Sequence, residues 1–118
     1  MSKRILVVED DASVRSVVAA ALAAAGWQVS EAQDGGEGLA RLRAEPGAFD
    51  LVISDVSMPS MTGLEMLSAA EPSLGAARVL LLSGYARPAG LPSERAFDFL
   101  EQPVQASRLV SRVRELLQ

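Results

Sequence analysis

Neither cysteine nor histidine occurs among the 118 residues. Without cysteine there is no disulfide framework and no thiolate metal site, so a reducing compartment is allowed but not required. Without histidine, imidazole chemistry is excluded. A membrane-length apolar run is also absent. The longest in the first third, "VVAAALAAAGW", is shorter than a span, starts too late for a signal peptide and lacks its pattern. A soluble, cytoplasmic chain with no membrane partner is expected. Positive charge is scarce as well: 11 Lys and Arg against 15 Asp and Glu leave a formal charge of −4. That argues against direct binding of nucleic acid, which depends on many Lys and Arg contacts to phosphate. A DNA-binding output would have to sit on another chain.

What is present is a strongly apolar chain, 49% hydrophobic and long enough for one core, so residues 1–118 read as a single domain. Short apolar runs alternate with helical patterns. "RILVVED" (4–10) ends in acids and reads as a strand covered on both faces. "ASVRSVVAAALAAAG" then places Val14, Val17, Val18, Ala21, Leu22 and Ala25 on one helical face and stops at Gly26. "WQVSEA" is a weaker strand, with Trp27 capping the core, and "GGEGLARLRAE" is a short helix carrying Leu39 and Leu42 inward. A strand at 49–54, a helix near 63–70, a strand at 78–83, a brief apolar "FDFL" (97–100) and a last amphipathic helix complete the pattern. Five strands alternating with helices imply an α/β fold, a doubly wound parallel sheet.

In such a sheet, ligands bind beyond the carboxyl ends of the strands, where strand order reverses. Glu9 and Asp10 end the first strand, Asp55 the third and Ser83 the fourth. With strand order 2-1-3-4-5, the first and third strands are neighbours, and three carboxylates converge at one edge. Like charges that close repel unless a cation or raised pKa values relieve them. Oxygen ligands at a shallow edge suit Mg²⁺. Any one of these acids alone reads equally well as a turn or N-cap residue; all three at matching strand ends do not.

The stretches "ILVVEDD", "DLVISDVSMPSMTGLEML", "VLLLSG" and "FLEQPV" together resemble the receiver domain of two-component response regulators over nearly the whole chain. The resemblance implies a flavodoxin-like, chemotaxis-regulator-like fold and a phosphorelay role. Asp55 would be the phosphoacceptor, taking a phosphoryl group from a sensor histidine kinase or phosphotransfer protein. Glu9, Asp10 and Asp55, with the backbone carbonyl of Ser57, would hold Mg²⁺. Ser83 matches the switch hydroxyl and Phe99 the aromatic switch. The chain would not be an enzyme beyond self-phosphorylation and autodephosphorylation at Asp55. The peptide bond before Pro103 is expected to be cis.

Two departures from the family pattern stand out. Gln102 in "FLEQPV" occupies the position of the usual lysine, and an amide brings no positive charge. Only eighteen residues separate Ser83 from Gln102, and "YARPAGLPSERA" between them carries two prolines and a glycine. The fourth helix, between the fourth and fifth strands, is therefore expected to be shortened or missing. A loop presenting Tyr85 and Arg87 would replace it. These departures support a second reading: a degenerate receiver acting as a phosphorylation-independent protein-binding module. A phosphohydrolase acting through an aspartyl phosphate is a third, disfavoured because Ser57 stands where such enzymes place a second acid. "DGGEG" (34–38) lacks G-x-G-x-x-G spacing and reads as a turn. Arg108, Arg112 and Arg114 on the last helix read as a solvated face, with a weak homodimer contact as the alternative.

Overall fold

The computed structural model describes residues 2–84 and 97–118. Five strands, β1 (Arg4–Val8), β2 (Gln28–Ala32), β3 (Leu51–Asp55), β4 (Arg78–Ser83) and β5 (Asp98–Glu101), form one sheet in the order β2-β1-β3-β4-β5. Every pairing is parallel. Four helices are described: α1 (Ala12–Ala24), α2 (Gly35–Ala44), α3 (Gly63–Leu74) and α4 (Ala106–Leu116). The fold class expected from the apolar runs and the flavodoxin-like strand order implied by the resemblance are those observed. The shortened fourth helix, Tyr85 and Arg87 lie outside the described residues.

The sheet divides the core because successive strand side chains point to opposite faces. Leu6, Val8 and Val52 join Leu42 of α2 and Met66 of α3 on one face. Ile5, Val7 and Ile53 join Leu22 of α1 and Val113 of α4 on the other. Covering both faces is what makes the strands read as unbroken apolar runs. Each fully buried Leu, Ile or Val contributes about 1.5–3 kcal/mol of transfer free energy.

The helices begin where the sequence supplies caps. The Asp11 side chain accepts from the Ser13 and Val14 N–H groups at 2.9 and 3.1 Å and starts α1. Asp34 accepts from the Glu37 N–H at 2.8 Å, so most of "DGGEG" is the first turn of α2 rather than a turn alone. Thr62 and Glu65 form a reciprocal capping box that opens α3. α3 also runs through Pro72 to Leu74, beyond the expected end near residue 70.

The buried face of α1 follows the expected one, with Val14, Ala21 and Ala25 half-buried beside it, except at Val17 and Ala19. Val18, Ala19 and Leu22 are buried, whereas Val17 is 61% exposed. After Ser16 the helix carries only alanine, valine and leucine, so there the sheet beneath it sets which of them are buried. Trp27 packs against the α1/α4 core, as expected, with the Arg114 guanidinium 6.0 Å from its ring centroid. Arg112 pairs with Asp98 of β5 and with Glu115, so this arginine of α4 ties the helix to the sheet in addition to meeting solvent.

Gly63 brings the start of α3 against the end of β3. Its N–H donates to the Val56 carbonyl at 2.9 Å, and a Cβ there would collide with the Asp55 carbonyl oxygen and the Ser54 hydroxyl. Gly63→Ala is therefore expected to lower unfolding free energy by about 1–3 kcal/mol, the usual cost of overpacking. Urea denaturation would show this; an unchanged midpoint would mean that the β3–α3 loop relaxes freely.

Candidate functional site

Parallel register builds the site. Val8 pairs with Ser54, so Glu9 and Asp55 both stand one residue further along, at the carboxyl edge of the sheet. This edge is the point where chain order reverses, with β2 on one side of β1 and β3 on the other. Glu9 is 4% exposed and Asp55 9%, while Asp10 beside them is exposed. One carboxylate oxygen from each of the three lies within 4.8 Å of those of the others.

The local bonding leaves the cluster short of partners. Glu9 Oε1 accepts from the Asp11 N–H at 3.2 Å, and Asp55 Oδ1 accepts from the Ser57 N–H at 3.2 Å. Glu9 Oε2 is buried with no hydrogen-bond partner. A buried carboxylate oxygen left bare costs free energy unless a proton or a cation meets it. The three carboxylates, all hard oxygen donors at an open edge, therefore fit a divalent cation such as Mg²⁺.

Without that cation, protons respond instead. Burial, then the nearby Asp55 charge, pushes the Glu9 carboxyl up to about 8, with the Asp11 N–H pulling weakly the other way. Burial also raises Asp55, opposed by the Ser57 N–H.

The cleft over these acids is lined on its α1 side by Val14, Val17 and Val18, and on the far side by Gln102, Pro103 and Val104. Ser57 and Gly84 also line it. None of its described lining residues is basic, and Gln102 stands where the family pattern has a lysine. The Gln102–Pro103 bond is cis, as expected, and the Gln102 N–H donates to the Ser83 carbonyl at 2.6 Å.

Ser83 and Phe99 are placed differently. Ser83 is buried at the end of β4, one residue beyond the Asp55–Leu82 pair, and is not among the residues lining the cleft. Alternation puts it on the same sheet face as Leu81, whose register partner is Phe99. Phe99 packs against the α2/α3 core and borders a separate hollow with Arg108, Ser111 and Arg112. The structure thus gathers Glu9, Asp10, Asp55, Ser57 and Gln102 in one cleft and sets Ser83 and Phe99 on the opposite sheet face.

Arg15 escaped the sequence reading. It sits in the first turn of α1, and its Nη1 donates to the Glu9 carbonyl at 2.8 Å. The available signal was an arginine four residues after the helix cap Asp11, close behind the acidic pair.

The raised pKa values have a definite sign. The folded metal-free protein holds protons that the unfolded chain has lost, so stability falls as pH rises from the ordinary carboxyl range, near 4.5, through about 8. Metal-free protein should therefore unfold at lower urea concentration at pH 8.5 than at pH 5.5. Glu9→Gln should flatten that dependence; an unchanged slope would place its origin elsewhere.

Comparison with known proteins agrees with the geometry. The family model for the response regulator receiver domain matches residues 5–114. The receiver protein CpdR of Brucella abortus is 32% identical over 121 residues, covering 98% of this chain and 97% of that protein. The sensor kinase CckA of the same organism is 35% identical over 99% of this chain, which spans only 13% of the kinase. Among solved structures, the receiver domain of the hybrid histidine kinase CckA superposes with a TM-score of 0.88 at 43% identity, covering 98% of this chain and 99% of that one. The chemotaxis protein CheY4 of Vibrio cholerae superposes at 0.87 and 30% identity, covering 99% and 100%. With its acid-edged parallel sheet and a family match across nearly its whole length, this chain belongs to the receiver domains of two-component response regulators.

Proposed function

We propose that residues 1–118 act as one phosphoacceptor receiver, taking a phosphoryl group onto Asp55 from a phosphohistidine of a sensor histidine kinase or phosphotransfer protein. The observation that carries this reading is the convergence of three carboxylates on one strand edge, with Glu9 Oε2 buried and unpartnered. The likeness to CpdR and to the CckA receiver supports a donor of that kind. No described helix is long and apolar enough to cross a membrane, which is compatible with a cytoplasmic setting.

Asp55 would act as a nucleophile presented on a rigid strand. Its carboxylate oxygen bonds to phosphorus while the donor's N–P bond breaks, and the released imidazole nitrogen takes up a proton. A carboxylate needs no general base for this attack, consistent with the lack of histidine. Glu9, Asp10, Asp55 and the Ser57 carbonyl would hold Mg²⁺. When bound, the ion supplies positive charge for the phosphoryl oxygens and the acids. Ser83 would approach the phosphoryl group from beyond the end of β4, and Phe99, on the same sheet face, would follow that movement. Gln102 would offer an amide N–H where the family's lysine offers a charge.

Incubation with Mg²⁺ and a small phosphodonor, followed by intact mass, should show one phosphorylation that Asp55→Asn abolishes. No adduct with any donor, or one that survives Asp55→Asn, would instead favour a phosphorylation-independent binding module.

Gln102 generates a separate expectation. A lysine at this position would offset the acids before any metal binds. Gln102→Lys should raise the metal-free melting temperature by roughly 3–6 °C, for about 1 kcal/mol of added stability. It should also narrow the increment Mg²⁺ adds by binding the native state, which is about 2.7 kcal/mol at a hundredfold excess over Kd. Calorimetric melting with and without Mg²⁺ measures both; an unchanged metal-free value would show that the acids are already compensated.

A further inference from the structure

We infer that Arg15 is a positioning residue for the acidic pair, clamping the Glu9–Asp10 peptide so that the Asp10 carboxylate faces its ligand. This rests on the reading of Glu9 and Asp10 as metal-holding residues. Three elements meet at the guanidinium. Arg15 belongs to α1, its Nη1 donates to the Glu9 carbonyl just past β1 at 2.8 Å, and its Nε lies 3.4 Å from Glu31 Oε1 on β2. Its side chain is only 18% exposed. An arginine that buried and bonded in two directions has lost most of its rotamer freedom, so it works as a strut rather than a solvated charge.

Glu9 and Asp10 are held in different ways. The Glu9 N–H donates to the Ala32 carbonyl at 3.1 Å, its carbonyl accepts from Arg15, and its Oε1 accepts from Asp11. Only Oε2 is left over, at the cluster. Asp10 is exposed, and among the described residues no hydrogen bond holds its carboxylate. Its direction follows from the backbone on either side. Asp11 fixes the C-terminal side by capping α1, and Arg15 fixes the N-terminal side through the Glu9 carbonyl. If that hydrogen bond is removed, the Glu9–Asp10 peptide can rotate between two fixed points and Asp10 swings with it.

Electrostatics alone makes the opposite forecast. Arg15 is a cation near a cation site, and deleting it would strengthen metal binding if charge were its whole role. Positioning and charge therefore differ in sign.

The test is calorimetric titration of Mg²⁺ into the whole chain, well below the melting temperature, with metal-free melting recorded alongside. Arg15→Ala should weaken Mg²⁺ binding about 5–10-fold. Arg15→Lys, whose single ammonium cannot span both acceptors, should recover part of that loss. Glu31→Gln, which leaves the carbonyl contact in place, should weaken binding less than Arg15→Ala. A lower melting temperature with unchanged Mg²⁺ affinity would reduce Arg15 to a structural tie and overturn the inference. Tighter binding by Arg15→Ala would overturn it in favour of charge. Should Arg15→Ala not fold, Arg15→Lys decides: weaker binding than the parent supports the clamp, and equal binding overturns it. Asp10→Asn is the control for the site itself. If the parent binds no Mg²⁺, or binds it equally after Asp10→Asn, the metal-site reading fails and the clamp fails with it; loss on Asp10→Asn but not on any Arg15 variant removes the clamp alone.

Discussion

The parallel pairing of β1 with β3 is the constraint on which the rest depends, because it sets Glu9 and Asp55 side by side at the sheet's edge. Two carboxylates at such a distance repel by about 3–4 kcal/mol at an effective dielectric constant of ~20. That is a sizeable fraction of a domain's net stability, commonly about 5–15 kcal/mol. The chain can hold them together because neither acid forms the register. Ile5, Leu6, Val7 and Val8 of β1 and Leu51, Val52 and Ile53 of β3 are buried at the two cores, and a slip of one residue would turn every one of them to the wrong face.

The loops leaving these strands convert repulsion into a shaped site. Asp11 caps α1 and sends its N–H to Glu9; Ser57 sends its N–H to Asp55. Each bond stabilises the charged form of one acid, yet burial outweighs them and both groups stay protonated more readily than free carboxylates. A cation at the same place would relieve the buried Glu9 oxygen and the mutual repulsion together. The cleft's described lining brings no basic side chain of its own, which distinguishes it from the family pattern with a lysine at position 102.

The structural division between Asp55 and Ser83 follows from the same alternation. Asp55 shares its sheet face with Leu51 and Ile53, and Ser83 shares the other with Val79 and Leu81. A hydroxyl that is to meet a group on Asp55 has to reach around the strand end. Phe99 lies beside Leu81 on that second face, so motion of Ser83 and repacking of Phe99 would be coupled through one neighbour. Arg15 does comparable work on the first strand, where it ties α1 and β2 to the backbone that carries the acidic pair.

Much of this was legible in the chain. Buried strands leave continuous apolar runs, and the acids at the ends of "ILVVED" and "LVISD" mark the edge in the sequence itself. The cis bond at Pro103 belongs to the same motif-level information, whereas the caps at Asp11 and Thr62 became visible only in the folded chain. Tertiary structure alone decided the border of α1's buried face: after Ser16 the helix carries only apolar residues, and contact with the sheet left Val17 exposed where periodicity placed it inside. It alone revealed Arg15, whose acceptors Glu9 and Glu31 lie 6 and 16 residues away and meet only because β2 pairs with β1. Local pattern determines what each segment can become. Contacts between distant segments decide which side chains share a site, because they form only when the sheet has closed.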